Sequence, residues 1–133
     1  MPKNAGIPMG KKGLEIKRIR KEARNMAFNG IFAFLTLLFV VIFYREIALT
    51  TFLLVVLAIA FFAYYRSPIL VPIFALACFL GVIAEIFAVS GGVWSYGLSD
   101  FFGVPFWLFI VWGNAALFIY RTGVEFERLG FHK

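Results

Sequence analysis

Apolar residues fill four long stretches of the chain, and charged residues lie almost entirely between and around these stretches. A helix needs about 20 apolar residues to cross a hydrocarbon core of about 30 Å. Three stretches have close to this length, and the shorter fourth reaches it if its helix continues through Arg121 toward Leu129. We therefore predict four membrane-spanning helices, over Met26–Tyr44, Ile47–Tyr65, Pro68–Val89 and Pro105–Tyr120.

The short links between the first three stretches predict how the helices are arranged. Residues 44–46 join the first pair, and residues 66–67 join the second stretch to the third. Links of this length make consecutive helices antiparallel. The predicted fold is all-α, a polytopic four-transmembrane-helix antiparallel bundle preceded by a basic amphipathic helix. Its parts are a basic segment (1–25), the transmembrane domain (26–129) and a short tail (130–133).

Composition and charge agree with a membrane protein and set its orientation. Of the 133 residues, 62% are hydrophobic, against roughly half in soluble domains. Four crossings put Arg45 on one side and the other twelve basic residues on the opposite side, which the positive-inside rule places in the cytoplasm. We therefore expect a multi-pass protein of the cell membrane with both termini in the cytoplasm. Because this pattern explains the net charge of +6, no nucleic-acid partner is predicted. The twelve are Lys3, Lys11, Lys12, Lys17, Arg18, Arg20, Lys21, Arg24, Arg66, Arg121, Arg128 and Lys133.

The segment before the first span has the pattern of a basic amphipathic helix. Ile16, Ile19, Ala23 and Met26 form one apolar stripe at helical spacing. Such a helix is expected to lie on the inner membrane face before bending into the first span. Each basic residue near anionic lipid contributes about 1 kcal/mol. A topology-setting flank and a specific lipid or partner site are both compatible with this pattern. The residues predicted to meet anionic headgroups are Lys11, Lys12, Lys17, Arg18, Arg20, Lys21 and Arg24.

Glu85 is the most informative polar residue, because it lies inside the third predicted span near its outer end. An ionised carboxylate at that depth costs several kcal/mol unless it faces protein, water or a cation. Small residues at helical spacing, Cys78, Gly81 and Ala88, place it on a helix-packing face. Glu85 is therefore expected to point into the bundle. It is either a structural carboxylate, neutral or paired with Arg45, or a candidate catalytic acid, base or cation ligand.

The loop between the third and fourth spans supplies further polar and aromatic groups on the outer side. Its aromatic residues suit a membrane interface, where an interfacial plug is the expected role and a catalytic lid the alternative. Polar groups that converge under this cover would form a small pocket. The candidate outer site comprises Arg45, Glu46, Trp94, Tyr96 and Asp100.

Three polar residues inside the spans, Asn29, Thr36 and Asn114, are predicted to form hydrogen bonds between helices. Such bonds contribute about 1 kcal/mol each in a bilayer. No spacing of histidine, cysteine and acidic residues fits a metal site, and the glycines do not form a phosphate-binding loop. No metal or cofactor is therefore predicted.

One set of motifs resembles those of known membrane proteins. Glu85 is followed by Gly92-x-Trp94-x-Tyr96, Gly103-x-Pro105-x-Trp107 and Trp112-Gly113. This pattern resembles a motif of small prokaryotic integral membrane proteins. It is also similar to membrane-bound carotenoid-biosynthesis proteins of the lycopene cyclase and hydratase type. That resemblance implies a glutamate that protonates an isoprenoid double bond. The chain lacks the second carboxylate that those proteins carry in a Pro-x-Glu context, so one subunit would supply an incomplete active site.

Three functions fit these features. The first is a scaffold or subunit that packs with itself or with a membrane-protein partner, favoured because no full catalytic set is visible. The second is an enzyme or half-enzyme on an isoprenoid or other lipid, with Glu85 as proton donor and aromatic rings stabilising a cation. The third is an oligomeric ion or small-solute conduit that uses Glu85 and Asn114 as polar steps.

Overall fold

The structure is a computed structural model that describes the backbone of residues 2–131 and the side chains of residues 10–131. Lys133, which was counted among the basic residues of one side, lies outside the described residues. All four helices are long and apolar enough to cross a membrane, and no strand occurs within residues 2–131. The predicted all-α four-helix fold is confirmed, and the chain is a multi-pass membrane protein. The helices are α1 (Pro2–Phe43), α2 (Ile47–Tyr65), α3 (Leu70–Ser90) and α4 (Trp107–Arg128).

Three helices follow the apolar pattern closely. α2 has the predicted bounds, and α3 is displaced from the predicted span by two residues at its start and one at its end. α4 begins two residues after Pro105 and continues to Arg128, as the extension of the fourth apolar stretch indicated. Residues 44–46 and 91–106 lie at one end of the bundle, here named the loop end. Residues 10–25, 66–69 and 121–131 lie at the other end, named the basic end.

α1 differs from the prediction, because it is one continuous helix of 42 residues. At 1.5 Å per residue it is about 63 Å long, roughly twice the thickness of a hydrocarbon core. The predicted bend between a surface helix and the first span is not found, and the boundary between residues 25 and 26 falls inside the helix. α1 continues as a helix through this region because α4 is long. Its last turns reach far enough to bury Glu22 and Asn25 of α1.

α4 is the central helix of the bundle. It packs against each of the other three helices, whereas α3 packs extensively only against α4 within the described residues. Two glycines allow the close approach of α3 and α4. A methyl group on Gly81 would collide with the ring of Trp112, and one on Gly113 would collide with Phe74 and Cys78. Because α3 packs extensively only against α4 within the described residues, its opposite side faces the lipid.

Two apolar cores hold the helices together. The core near the loop end is built around Leu54, Val82 and Leu108. The core near the basic end is aromatic, with Phe61 fully buried. Next to Phe61, Phe28 of α1 stacks on Tyr64 of α2 at a centroid distance of 3.8 Å. These ring contacts hold the end of α2 against the middle of α1, where the polar groups of the basic end begin.

Candidate functional site

The loop end holds a small cluster of three side chains around the carboxylate of Glu85, here named the Glu85 cluster. Glu85 is buried on α3. Its Oε2 atom accepts a hydrogen bond of 2.9 Å from Trp94 Nε1 and one of 2.7 Å from the Tyr96 hydroxyl. The chain can return over the end of α3 because Gly92 adopts a positive φ of 75° that glycine tolerates. The loop therefore covers Glu85 with two aromatic side chains whose N–H and O–H groups donate to one of its carboxyl oxygens.

Tyr96 is the titratable group of this cluster that lies outside the membrane-spanning helices. Burial, together with the hydrogen bond to the Glu85 carboxylate, raises the pKa of Tyr96 to about 12 from its ordinary value of 10.0. Its ring also meets Trp107 edge-on at a centroid distance of 6.4 Å. Tyr96 thus remains a neutral donor at physiological pH, held between α3 and the start of α4.

The other residues of the predicted outer site do not join Glu85. The Arg45 guanidinium is exposed and donates through Nε to the Tyr44 hydroxyl at 3.2 Å, so the alternative of a pair with Glu85 is not found. This bond raises the pKa of Arg45 further. Glu46 is exposed beside it at the start of α2. Asp100 instead accepts the backbone amide of Phe106 at 2.8 Å, which orders the loop before α4.

A row of polar pairs joins α1 to α4 and is here named the polar seam. Positions rise along α1 from 22 to 36 while their partners fall along α4 from 128 to 114, as antiparallel helices require. The seam ends near the middle of the membrane, where Asn114 Nδ2 lies 3.2 Å from Thr36 Oγ1. The pairs are Glu22–Arg128 (3.9 Å), Asn25–Glu125 (3.2 Å), Asn29–Thr122 (3.4 Å) and Thr36–Asn114.

The densest part of the seam is a buried ion pair at the basic end. Glu125 is fully buried, and its Oε1 accepts hydrogen bonds from Arg121 of α4 and from Asn25 of α1. The Arg121 guanidinium carbon also lies 3.9 Å from the ring centroid of Tyr65 on α2. Tyr65 in turn donates to Asn29 Oδ1 at 2.5 Å. One network therefore joins three of the four helices.

Sequence reasoning missed most of this network. Arg121 was assigned to the orientation-setting charges, and the buried side chains of Glu22, Asn25 and Glu125 were given no role. One signal was present, since positions 22, 25, 29 and 36 recur at intervals of three, four and seven, which is the spacing of one helix face. In a strongly basic stretch this spacing is also typical of a solvated surface, so the buried partner was needed to interpret it.

The basic residues predicted to meet headgroups divide into two groups. Five of them are exposed along α1, and one of these, Arg18, lies 4.0 Å from Glu15. The other two, Lys21 and Arg24, border a cleft of about 500 Å³ together with Arg121 and Arg128. This basic-end cleft lies beside the buried ion pair. Lys21 and Arg24 are exposed as well, and the five exposed residues that do not border the cleft are Lys11, Lys12, Lys17, Arg18 and Arg20.

Comparison with known proteins gives no relative for this chain. No protein-family model, curated protein or solved structure matches it significantly.

Proposed function

We propose that the protein is a membrane scaffold subunit that associates with a second copy of itself through the lipid-facing surface of α3 and α4. The observation that carries this proposal is a groove of about 390 Å³ along these two helices. Alanine and glycine residues make up most of its lining. They are Ala77, Gly81, Ala84, Ala115 and Ala116, and larger side chains from Leu80, Trp112 and Ile119 border them.

Small residues on a lipid-facing surface favour helix association, because they let another backbone approach closely. Large residues at these positions would meet lipid chains equally well, so lipid contact alone gives no reason for a groove. α3 also packs extensively against only one other helix, α4, within the described residues. A further helix in the groove would give α3 a second partner.

The same helix carries a ridge that fits such a groove, which favours a second copy as the occupant. Leu76, Leu80, Ile83 and Phe87 recur at intervals of four, three and four and are between 48% and 75% exposed. This ridge lies beside the small residues of α3. A surface that presents both a ridge and a groove is self-complementary, which a two-fold interface requires.

The orientation of this subunit follows from its charges. We propose that the basic end lies in the cytoplasm, where the positive-inside rule places it. The exposed lysines and arginines of α1 would then meet the anionic lipids of the inner leaflet. The aromatic residues of the loop end would lie at the outer interface.

Energy transfer between labelled copies in liposomes tests the self-association. Copies carrying Cys78→Ala and Gly10→Cys are labelled with donor or acceptor, and transfer is measured as the lipid-to-protein ratio increases. Ala84→Phe, which fills the groove, is expected to weaken association at least tenfold. The matched control Ala60→Phe, an exposed alanine on α2, should leave it unchanged. The proposal is contradicted if energy transfer is no greater than random encounters of labelled copies would give. It is also contradicted if Ala84→Phe and Ala60→Phe weaken association equally.

The enzyme and conduit hypotheses stay predictions with less support. Trp94 and Tyr96 both donate to the same oxygen of Glu85, so an isoprenoid would have to displace at least one of these hydrogen bonds to reach that oxygen. Lipid extraction from a Glu85→Gln strain tests the enzyme, since an unchanged profile of polyenes argues against it. Ion flux in liposomes that survives Glu85→Gln argues against the conduit.

A further inference from the structure

The basic-end cleft has the composition of an anion site. Four cationic side chains border it, Lys21 and Arg24 from α1 and Arg121 and Arg128 from α4. Among the side chains of residues 10–131, no carboxylate lines the cleft. The two nearest acids, Glu22 and Glu125, are buried at 3% and 0% exposure and face the polar seam. Arg121 is paired with Glu125 and Arg128 lies 3.9 Å from Glu22, so Lys21 and Arg24 add positive charge to the cleft beyond what these two acids neutralise.

One atom in the wall lacks a partner. The Arg121 side chain is 9% exposed, and its Nε–H is buried without a hydrogen-bond acceptor among the described residues. A guanidinium hydrogen that is buried and unpaired costs free energy, because it has lost its water. Arg121 is held in place by Glu125 and by the ring of Tyr65. A donor that is fixed, charged and unsatisfied is suited to an acceptor entering the cleft.

The remaining wall is rigid and supplies neutral polar groups. Tyr64 stacks on Phe28 within 8° of parallel and donates to Asn25 Oδ1 at 2.8 Å. Ser67, in the link between α2 and α3, borders the same space. A preorganised wall lowers the entropy lost when a ligand binds.

The position of the cleft indicates which anion it meets. It lies at the end of α2 and at the link to α3, the level at which an apolar helix leaves the hydrocarbon core. Phosphate groups of membrane lipids occupy this level, and arginine binds phosphate oxygens through paired hydrogen bonds. Basic pockets between transmembrane helices are suited to anionic headgroups. We infer that the basic-end cleft binds the phosphate group of an anionic membrane lipid, with Arg121 as the buried donor and Lys21, Arg24 and Arg128 as the exposed cations.

A charge-matched pair of variants separates this site from general attraction to anionic lipid. Lys21→Gln with Arg24→Gln removes two cations from the cleft, and neither side chain forms a hydrogen bond or ion pair with another described residue. Lys17→Gln with Arg20→Gln removes the same residue types at the same spacing, from exposed positions outside the cleft. Native mass spectrometry counts phosphatidylglycerol and phosphatidylcholine molecules retained by each purified variant.

The wild type and the Lys17/Arg20 variant are expected to retain one phosphatidylglycerol per chain in preference to phosphatidylcholine. The Lys21/Arg24 variant should show at least tenfold lower occupancy, and Arg128→Gln should lower it as well. Equal retention by all variants, or equal loss in the two double variants, overturns the inference. A competition with inorganic phosphate distinguishes the source of the phosphate group. Lipid that stays bound at millimolar phosphate supports a lipid ligand, and displacement at micromolar phosphate contradicts it.

Discussion

Arg121 lies over the ring of Tyr65, with its guanidinium carbon 3.9 Å from the ring centroid. This contact joins α4 to α2 at the point where Glu125 neutralises the same guanidinium. A desolvated cation over an aromatic face contributes about 2 kcal/mol. Arg121 is therefore stabilised by both Glu125 and Tyr65, and we expect the stability of the basic end to depend on all three residues.

Loss of the Glu125 charge is expected to destabilise the bundle strongly. Glu125→Gln leaves Arg121 buried without its counterion, which costs about 3–5 kcal/mol of unfolding free energy. Unfolding in lipid–detergent mixtures with increasing dodecyl sulfate measures the change. Glu15→Gln is the matched control, since Glu15 is exposed and lies 4.0 Å from Arg18. It should cost less than about 1 kcal/mol. Similar losses in the two variants would show that the buried pair contributes nothing.

The last pair of the polar seam, Thr36 and Asn114, is expected to contribute an interaction energy between α1 and α4. A double-mutant cycle of Thr36→Val and Asn114→Ala should give an interaction energy of about 0.6 kcal/mol, and at most about 2 kcal/mol. The bond at 3.2 Å is made between the two helices. Thr51→Val is the control partner for Asn114→Ala, because Thr51 bonds to the Ile47 carbonyl of its own helix. If the interaction energy in the control cycle is as large as that between Thr36 and Asn114, the hydrogen bond between these two residues is not a specific contact of the seam.

Close packing of α3 on α4 predicts a difference between two glycines. Gly81→Ala places a methyl group into the ring of Trp112, so unfolding free energy should fall by about 1–3 kcal/mol. Gly30→Ala places the same group into open space on α1. It should be neutral or stabilise by up to about 1 kcal/mol, because alanine is the better helix former. A neutral Gly81→Ala would mean that the two helices are further apart.

The raised pKa of Tyr96 predicts that the folded protein loses stability at alkaline pH. Its pKa is raised to about 12 in the folded protein, so the folded state holds this proton more tightly than the unfolded state. Its stabilising contribution is full below about pH 10, the ordinary tyrosine value, and is lost as pH rises through the folded pKa. Ultraviolet absorbance of tyrosinate follows the titration. In Glu85→Gln the Tyr96 step should move to lower pH, and in the exposed control Glu46→Gln it should not. An unmoved step in Glu85→Gln would show that the carboxylate does not act on Tyr96.

The sequence predicted the spans well and the contacts between them unevenly. Hydropathy set the bounds of α2 and α3 within two residues, because length in a bilayer is fixed by the hydrocarbon thickness. The polar residues of the basic end were harder to interpret. Asn25 and Glu125 are a hundred positions apart, and their contact at 3.2 Å arises only when α1 and α4 pair. Which helices pair is decided by packing in three dimensions, and no single helix pattern carries that information.

The continuous α1 illustrates the same limit. A basic amphipathic stripe ahead of a span is typical of a helix lying on the membrane surface, and Ile16 and Ile19 do remain exposed at 56% and 47%. The prediction of a bend was wrong because Glu22 and Asn25 contact side chains on the last turns of α4. Those contacts are made only if α1 continues straight.

Cysteine labelling in intact cells tests most directly whether the chain crosses the membrane four times with its basic end in the cytoplasm. Single cysteines are introduced at Gly10, Ser99 and Phe131, all exposed, in a Cys78→Ala background. A membrane-impermeant maleimide should label Ser99→Cys in intact cells, and Gly10→Cys and Phe131→Cys only after permeabilisation. Labelling of Gly10→Cys or Phe131→Cys in intact cells would contradict the orientation, and with it a cleft that meets the anionic inner leaflet.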